Sequence, residues 1–457
     1  MAISPRITSS QQKASSALNS SPEVREHFII KGLGGKRQLK GTIAVRGAKN
    51  AALKILAAPF LFSDTLYVEN IPQIEDIERL LDILKALGVS VSSHSSKYGF
   101  ALALDATGTL QNKLPRVLAK RLRASIVLTG PILARTGRVL FPHPGGCLIG
   151  ARPIDIFLDG FKKLGASVKE KNGWYDITAP RGGLHGATIR FVNPSVTATE
   201  TLMMAAVLAK GKTVLKNVAL EPEIEALADF LNQCGARIQG AGTTTIEIMG
   251  TPLLRASGKV YKTPPDRIEA GSFLILGALA AKDLRITGCE PSHVEALIDV
   301  LELAGVNVEV GDGTLRVKNN SHPKHFKSFD IKTHEYPGFP TDLQAPIVTF
   351  LTQVSGQALV FETIFEGRLS YVPELVRMGA DIQVCDPHRV IVRGPTALSG
   401  HELESPDLRA GLACLIAAIV AKGESVIHNV YTIDRGYEQI EERLLGIGVD
   451  IKRITNS

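Results

Sequence analysis

The 457-residue chain lacks the features that mark membrane proteins, disulfide-stabilised proteins and most metalloproteins. No apolar run approaches the ~20 residues that a bilayer span requires, so no membrane partner is expected. The cysteines are odd in number and widely separated, without a metal-ligand spacing, which indicates a reducing compartment and no metal site. They are Cys147, Cys234, Cys289, Cys385 and Cys414.

The sequence also lacks a block of basic residues. It has 52 Lys and Arg against 45 Asp and Glu, a net charge of +7 that would suit nucleic acid, a membrane surface or small anions. The basic residues are scattered, and neither a nucleic-acid-reading motif nor a basic amphipathic helix is present. We therefore expect small anionic substrates and no nucleic-acid partner.

The first residues have little apolar periodicity. Residues 1–26 are rich in Ser, Ala and Gln, and we predict a disordered tail over residues 1–27. An alternative is an organelle transit peptide, because Arg6 and Lys13 precede the first acid, Glu23; the protein would then lie in an organelle stroma. Without such a segment, the predicted location is the cytoplasm.

What the chain does have is the length and composition of two soluble domains. Its hydrophobic content of 44% and charged content of 21% are typical of globular proteins, and its length suggests two domains of roughly 200 residues. Two domains imply a cleft between them. A monomer is the expected assembly.

The organising feature is an internal repeat, in which an amphipathic helix ends at a glycine and passes directly into a short β-branched strand. Glycine suits that position because the residue after a helix commonly turns left-handed. The six helix-ending glycines are spaced by 77, 70, 70, 74 and 69 residues; they are Gly88, Gly165, Gly235, Gly305, Gly379 and Gly448. In the fourth repeat, Ser292 and Glu295 predict a capping box.

Six units of about 70 residues, each mixing helix and strand, predict an α/β (α+β) protein. We expect two domains of three units each, with Ala-rich helices buried beneath sheets. The loops between the repeated elements differ most from one copy to the next, and such loops are where function usually lies.

One of these loops, residues 142–155, is rich in glycine and carries Cys147 at its centre and Arg152 near its end. A lone cysteine in a flexible turn is usually inert. Cationic neighbours, however, lower the pKa of a thiol and allow it to act as acid, base or nucleophile.

Three cations are predicted at the starts of helices: Lys49, Arg152 and Arg435. A cation there opposes the helix dipole unless an anion is also bound. Each alone is most simply a solvated charge, but three in corresponding loops predict convergence on a phosphate and a carboxylate.

Three further residues have simpler structural explanations. Asp342 lies in a turn before a predicted helix, where capping is the simplest role. Asp407 and Arg409 are two residues apart, which favours an ion pair or a cap over catalysis on spacing alone.

These motifs together resemble the UDP-N-acetylglucosamine 1-carboxyvinyltransferase family, from about residue 28 to the end. They appear in the family's order and near its spacings, and include GAKNAAL, RASI, PGGCLIGARPID, EPEIE, PDRIEAGSF, YPGFPTDLQA, TIFEGR, VPELVRMGA, DLRA and IDRGYEQIE. The resemblance implies a two-domain inside-out α/β barrel with three repeats in each domain. Domain one would be residues 49–264 and domain two residues 28–48 with 265–457, with a hinge near Lys49 and Pro265.

The resemblance also implies the reaction. The 3-hydroxyl of UDP-N-acetylglucosamine would attack C2 of phosphoenolpyruvate while C3 is protonated, and the tetrahedral intermediate would then lose phosphate. This is the first committed step of peptidoglycan synthesis and requires neither a metal nor an organic cofactor. Cys147 matches the general acid, which also forms the adduct 2-(S-cysteinyl)pyruvic acid O-phosphothioketal with phosphoenolpyruvate, and Asp342 matches the base.

The remaining site residues are likewise implied by matching positions. Lys49, Arg152 and Arg435 match the clamp on phosphate and carboxylate, and Asp407 and Arg409 match residues that place the pyruvyl group. The positions that hold the nucleotide sugar correspond to Asn50, Arg123, Ser195, Val196, Thr197 and Ile364.

The chain departs from the family pattern at Phe157, Thr197, Gly367 and His143, where His, Gly, Asn and Leu are usual. Thr197 adds bulk where a backbone would approach the uridine, so we predict altered affinity for the nucleotide sugar. Asp155 and Glu221 fall near the expected substrate, although helix capping also explains them.

Other readings are a shikimate-3-phosphate enolpyruvyl transferase, an inactive paralogue that binds UDP-N-acetylglucosamine, and a nucleic-acid-processing relative. The first would lack the PGGC and GAKNAAL motifs, and the loops offer no support for the last. An inactive paralogue would have lost some of its chemical residues, yet Lys49, Cys147, Arg152, Asp342 and Arg435 are all present.

Overall fold

A computed structural model describes residues 25–96, 99–145, 149–150, 152–318 and 321–456. The predicted tail falls almost entirely on residues 1–24, and these, like the transit-peptide alternative, lie outside the described residues. The prediction is wrong for residues 25–27, which form the start of the first strand.

The fold alternates helices and strands along the chain. The α-helices are α1 (Lys49–Ile55), α2 (Glu75–Ala86), α3 (Arg116–Arg121), α4 (Thr129–Thr136), α5 (Asp155–Lys163), α6 (Val196–Val207), α7 (Pro222–Gln233), α8 (Arg267–Ala280), α9 (Glu295–Ala304), α10 (Gln344–Leu351), α11 (Val372–Arg377), α12 (Leu408–Val420), α13 (Tyr431–Asp434) and α14 (Ile440–Leu445).

The strands are short. They are β1 (Arg25–Lys31), β2 (Leu39–Ala44), β3 (Leu66–Glu69), β4 (Ser90–Ser96), β5 (Gly99–Asp105), β6 (Arg138–Pro142), β7 (Ser167–Lys171), β8 (Trp174–Thr178), β9 (Thr188–Arg190), β10 (Lys212–Lys216), β11 (Arg237–Gln239), β12 (Thr245–Met249), β13 (Val260–Lys262), β14 (Ala281–Thr287), β15 (Val308–Gly311), β16 (Thr314–Lys318), β17 (Ile331–Lys332), β18 (Gly356–Phe361), β19 (Asp381–Asp386), β20 (Arg389–Gly394), β21 (Glu402–Glu404), β22 (Glu424–His428) and β23 (Asp450–Asn456).

The strands form six small sheets, one for each predicted repeat. Their strand orders are β13-β3-β5-β4, β6-β8-β7, β11-β12-β10-β9, β15-β16-β14-β2, β17-β18-β20-β19 and β21-β22-β1-β23. One edge strand of each sheet follows a repeat helix: β4, β7, β11, β15, β19 and β23.

The six predicted glycines all adopt the left-handed backbone that the repeat requires. Their φ angles lie between 92° and 105°. The first repeat shows how sequence produces the unit: acidic residues occupy the first turn of α2, one apolar face is buried, and Gly88 turns the chain into β4. The prediction of a helix, a glycine turn and a strand is confirmed.

The capping box predicted at Ser292 is wrong. Glu290 accepts the backbone N–H of Ser292 and begins a short 3₁₀ turn, so α9 starts at Glu295 itself. Glu295 therefore occupies the first position of the helix rather than the third, where a capping box would require it.

Apolar helices lie at the centre of the molecule and sheets lie outside them. Helices α8, α10 and α12 contact one another, and each also contacts its own sheet through β14, β20 and β22 respectively. Helices α4 and α6 make the same arrangement with β6 and β10. This confirms the predicted mixed α/β fold with helices buried beneath sheets.

Buried apolar residues form two separate clusters. The first core contains residues from Ala52 to Tyr261. The second core joins residues from Phe28 to Val45 with residues from Ile268 to Ile451. The chain therefore passes between the cores twice, at residues 46–51 and 262–267.

None of the helices in the described parts of the chain is long and apolar enough to cross a bilayer.

Candidate active site at the junction of the two cores

Lys49 lies where the chain enters the first core and, as predicted, begins a helix. A side chain at Gly47 would place its Cβ 1.8 Å from the carbonyl oxygen of Asn70, so only glycine allows this close crossing. The buried Lys49 Nζ lies 2.7 Å from Asp76 Oδ2, and its backbone N–H donates to Asp266 Oδ2 at 3.1 Å. Burial lowers the pKa of Lys49, and the charges of Arg409 and Arg435 act in the same direction.

Asp76 joins Lys49 to the second core. Its Oδ1 accepts Arg435 Nε at 2.8 Å and its Oδ2 accepts Arg435 Nη2 at 3.3 Å. Burial by itself would raise the pKa of Asp76, but Lys49 and Arg435 outweigh it and lower that pKa. A carboxylate from the first core thus remains ionised between two cations.

The prediction that Arg435 begins a helix is wrong. Arg435 follows the last residue of α13, and the next helix starts only at Ile440. The reason is local, because Gln439 takes a left-handed conformation with φ of 45° that separates the two helices. Arg435 nevertheless reaches the junction through its ion pair with Asp76.

Asp342 is the second carboxylate held between two cations. Its Oδ1 accepts Arg368 Nη2 at 2.5 Å, and its Oδ2 accepts Arg409 Nη2 at 3.0 Å. Burial would raise the pKa of Asp342, but the charges of Arg409 and Arg368 hold that pKa well below its usual range. The Asp342 side chain therefore forms ion pairs with Arg368 and Arg409. It does not have the helix-capping role that its position suggested.

Asp407, by contrast, is the cap that its position suggested. Its Oδ1 accepts the backbone N–H groups of Arg409 and Ala410 at the start of α12. The capped helix carries Arg409, whose Nη1 donates to the Tyr437 hydroxyl at 2.9 Å. Asp407 therefore fixes the backbone from which Arg409 reaches Asp342.

Arg123 and Arg152 lie together on the first core. Arg123 donates from Nη2 to the carbonyl of Arg152 and from Nη1 to the carbonyl of Pro144 at 3.4 Å. Burial, with a smaller contribution from the charge of Arg152, lowers the pKa of Arg123 to about 10.

The segment that contains Arg152 contacts the second core. Arg152 Cζ lies 5.5 Å from the centre of the Phe365 ring, and the carbonyl of Ile149 accepts the Gly367 N–H at 2.9 Å. A side chain at Gly150 would collide with Glu366, since its Cβ would lie 2.9 Å from Glu366 Cγ. Cys147, between these contacts and Pro144, lies outside the described residues.

The residues predicted to hold the nucleotide sugar lie on three elements. Ser195 caps α6, Val196 and Thr197 form its first turn, and Asn50 is the second residue of α1. Ile364 belongs to the segment that faces Arg152, where its N–H donates to the buried Glu362 at 2.8 Å.

The unusual residues differ in their relation to the site. Phe157 is buried in the first core. Gly367 lies at the contact between the cores. His143 is exposed, and its Nδ1 lies 3.4 Å from the Tyr175 hydroxyl.

Sequence reasoning missed Asp76 and Arg368. Asp76 stands in the acidic first turn of α2, where any acid is favourable, and nothing local marks it as a partner of a residue 359 positions away. Arg368 ends the TIFEGR motif, whose match to the family pattern predicts no role for the arginine. Asp155 and Glu221 stand at the starts of α5 and α7.

The structure thus brings Lys49, Arg435, Arg368 and Arg409 to one junction, where these four cations share the two carboxylates of Asp76 and Asp342. Such a cluster suits a ligand with two anionic groups. Within the described ranges, no group of three or more His, Cys, Asp or Glu is placed to hold a metal ion.

Comparisons with known proteins agree with this architecture. The model of the EPSP synthase (3-phosphoshikimate 1-carboxyvinyltransferase) family matches residues 33–444. A UDP-N-acetylglucosamine 1-carboxyvinyltransferase of Acidobacterium capsulatum is 45% identical over 438 residues, which cover 94% of this chain and 97% of the relative. A protein of the same name from Solibacter usitatus is 44% identical over 430 residues, with coverage of 94% and 100%.

Two solved structures share the fold. The enolpyruvyl transferase NikO from Streptomyces tendae superposes with a TM-score of 0.82 at 24% identity, covering 95% of this chain and all of that one. An EPSP synthase from Acinetobacter baumannii gives a TM-score of 0.69 at 18% identity, with coverage of 94% and 100%.

Proposed function

Because the chain belongs to the EPSP synthase family, and within it to the UDP-N-acetylglucosamine 1-carboxyvinyltransferases, we propose that it carries out their reaction. It transfers the enolpyruvyl group of phosphoenolpyruvate to the 3-hydroxyl of UDP-N-acetylglucosamine and releases phosphate, in peptidoglycan synthesis. The observation that carries this proposal is the cluster of four cations around two carboxylates at the junction of the cores.

The cluster suits phosphoenolpyruvate because that substrate carries both a phosphate and a carboxylate. Lys49 and Arg435 both pair with the carboxylate of Asp76, so an incoming phosphate meets two cations that are already held side by side. Arg409, with Asp407 at the start of the same helix, is suitably placed for the pyruvyl carboxylate, and Arg152 completes the clamp from the first core. Low local dielectric strengthens each of these ion pairs.

Asp342 is the proposed base for the sugar hydroxyl. Its low pKa keeps it ionised at neutral pH, so it can accept the hydroxyl proton, although the same arginines weaken it as a base. Acceptance of a proton therefore becomes easier if substrate draws Arg368 or Arg409 away from the carboxylate. Arg409 pairs with Asp342, the proposed base, and also belongs to the proposed anion clamp. Binding of the anion and acceptance of the proton are therefore linked through Arg409.

Cys147 is the proposed general acid and the site of the phosphothioketal adduct. The proposal rests on the PGGC motif and on the position of its loop, whose flanking residues Ile149 and Arg152 contact the second core. Protonation of C3 by Cys147 accompanies bond formation between the sugar oxygen and C2. Loss of a proton from C3 and of phosphate from C2 then restores the double bond.

The two cores correspond, in this proposal, to two domains of residues 49–264 and residues 28–48 with 265–457. The crossings at residues 46–51 and 262–267 would then serve as the hinge near Lys49 and Pro265. Separation of the cores admits the substrates, and their approach excludes water from the junction. The nucleotide sugar would contact Asn50, Arg123, Ser195, Val196, Thr197 and Ile364.

The setting of the enzyme is also proposed. Cys234, Cys289, Cys385 and Cys414 are free thiols, which suits a reducing cytoplasm. We expect a monomer, because both sets of site residues come from one chain, and size-exclusion chromatography with light scattering would test this.

The deciding experiment measures phosphate release from phosphoenolpyruvate with UDP-N-acetylglucosamine as acceptor, beside shikimate 3-phosphate and beside a Cys147→Ala variant. We expect release only with the nucleotide sugar and none from the variant. Release with shikimate 3-phosphate would instead identify the other enolpyruvyl transferase. Saturable binding of the nucleotide sugar without release would make the protein an inactive binding paralogue.

A further inference from the structure

Arg79 makes a contact between the two cores that the proposed reaction does not use. It lies on α2, three residues after Asp76, so the two side chains share one face of the helix. Its side chain is one-fifth exposed. The residue is therefore close to the catalytic junction without being part of the anion cluster.

The guanidinium of Arg79 contacts three elements at once. Nε donates to Glu75 Oε1 at 2.8 Å, within α2 itself, and Nη1 donates to the carbonyl of Arg121 at 2.9 Å, at the end of α3. Nη2 donates to the hydroxyl of Tyr431 on α13, and Cζ lies 5.3 Å from the centre of the same ring. A planar fork with several donors is what such a three-way contact requires.

Two of these partners lie close in sequence to proposed substrate-binding residues. Arg121 is two residues before Arg123, and Tyr431 is four residues before Arg435. The contact to Tyr431 reaches from the first core to the second, parallel to the Asp76–Arg435 ion pair. Arg79 is thus positioned to hold one binding arginine from each core in a fixed relation.

The contacts around Arg79 between the two cores are polar. The Gln73 N–H donates to Glu438 Oε2 at 2.7 Å, and Glu438 also pairs with Arg46 at 3.2 Å. Where two cores meet through polar contacts, relative motion of the cores is expected. A contact that exists only when the cores meet stabilises that arrangement and adds little to the stability of either core.

We propose that Arg79 is a positioning residue that acts as a latch on the closed arrangement, through Tyr431 and Arg121. This inference rests on the proposed function, since its effect is measured on the binding of those substrates. Loss of the latch lowers the population of the closed form, and the apparent dissociation constants rise by the same factor for both substrates. The Glu75–Arg79 pair within α2 contributes little, because ion pairs four residues apart on a helix are weak.

The test compares Arg79→Ala, Arg79→Lys, Tyr431→Phe and the Arg79→Ala/Tyr431→Phe double variant with the wild type. We expect KM for both substrates to rise roughly five- to tenfold in Arg79→Ala, with kcat within about twofold. Arg79→Lys should rescue only partly, because it keeps the charge and loses the fork. The double variant should resemble Arg79→Ala, since removing either partner removes the shared hydrogen bond.

Arg138→Ala is the matched control. Arg138 is an exposed arginine that pairs with Asp176 within one sheet of the first core, and its removal should leave KM unchanged. Melting temperatures of the unliganded proteins separate a latch from a structural role. The latch predicts less than about 2 °C of change in Arg79→Ala, whereas a residue that merely holds α2 in place would lower the melting temperature.

An unchanged KM in Arg79→Ala, or additive effects in the double variant, would overturn the latch. The proposed function is decided separately, by whether the wild type turns over its substrates. The latch is judged only from the ratio of KM in the variant to KM in the wild type. If the wild type binds the nucleotide sugar without turnover, the same ratio is measured by calorimetric titration.

Discussion

Two groups of buried charges in this protein each contain a carboxylate, and the pKa values of these two carboxylates are shifted in opposite directions. At the junction, Asp76 is nearly inaccessible but contacts both Lys49 and Arg435, and its pKa is lowered. Inside the first core, Glu200 is completely buried and has one cation, Lys54, whose Nζ lies 2.8 Å from Oε2. Burial raises the pKa of Glu200 to about 7 in spite of Lys54.

Both carboxylates are buried, but two cations outweigh burial at Asp76, whereas at Glu200 the single cation Lys54 does not outweigh burial and the nearby charges of Glu223 and Glu221. Among the residues that the structure describes, Glu200 Oε1 has no hydrogen-bond partner, whereas both oxygens of Asp76 accept from Arg435. A carboxylate with two cations can remain charged and leave excess positive charge for a ligand. Glu200, with its single cation, is about half neutral near pH 7.

The largest expected effect comes from removing a cation of the junction. Lys49→Met should lower kcat/KM by about 10³-fold, because one charged donor to the reacting phosphate is lost. Phosphate-release kinetics would measure it, with Lys212→Met as control, since Lys212 pairs with Glu247 on the surface at 2.9 Å. A loss of similar size in Lys212→Met would show that the assay reports stability rather than chemistry.

The second prediction concerns the buried Lys54–Glu200 pair. Its effect on stability changes with pH in the direction opposite to that expected for Asp76. The pKa of Glu200 is raised above its ordinary 4.5, so the folded state loses stability relative to a Glu200→Gln variant as pH rises. The free-energy difference should change by about 3 kcal/mol between about pH 4.5 and 7.5, in favour of the variant. Urea denaturation of both proteins at several pH values gives this curve, and a pH-independent difference would place the pKa of Glu200 near its ordinary value.

Asp76→Asn should show the reverse sign. The folded-state pKa of Asp76 is lowered, so its stabilising contribution is present at neutral pH and is lost as pH falls through that pKa. The variant should therefore be less stable than wild type at pH 7 and approach it in acid. We also expect kcat/KM to fall about tenfold, because Lys49 and Arg435 lose the carboxylate that aligns them. A variant more stable than wild type at pH 7 would contradict the comparison between the two regions.

The smallest expected effect comes from Thr197→Gly. Helix α6 carries both this proposed binding residue and the buried Glu200, so the variant tests whether the site can change independently of the buried pair. Thr197 lies in the first turn of α6, the helix that carries Glu200 three residues later, and its carbonyl accepts the hydroxyl of Thr201. Thr197→Gly should change KM for the nucleotide sugar by roughly two- to fivefold and leave KM for phosphoenolpyruvate unchanged. Initial-rate kinetics with each substrate varied would show it, and an unchanged KM for the nucleotide sugar would remove a role for Thr197.

The repeats could be predicted from the sequence because each is a local event. The glycine that closes each repeat helix favours a left-handed backbone through its own lack of a side chain, and all six predicted glycines adopt it. Helix starts at Lys49 and near Arg152 follow from similarly local patterns. The resemblance to a family then identified Asp342 and Arg409, without indicating that they contact each other.

What could not be predicted depends on residues far apart in the chain. The partnership of Asp76 with Arg435 joins two cores, and neither residue has a local pattern that distinguishes it from a surface charge. The error at Arg435 arose because the sequence from Arg435 onward has a helical pattern. Gln439, however, adopts a left-handed conformation, and the helix starts only at Ile440. Lys54 and Glu200 were missed for the same reason as Asp76, since a helical charge gives no sign of complete burial.

The placement of β1 has a consequence for the synthesis of the protein on the ribosome. This strand pairs with β22 and β23, and Arg453 contacts Glu26 across 427 residues. The first core is complete once residue 261 has emerged, whereas Phe28 and Ile30, which end completely buried, remain without partners until the last strands appear. During translation an apolar strand is therefore exposed beside an already complete first core, and it is the segment from which we expect chaperone binding and aggregation to begin.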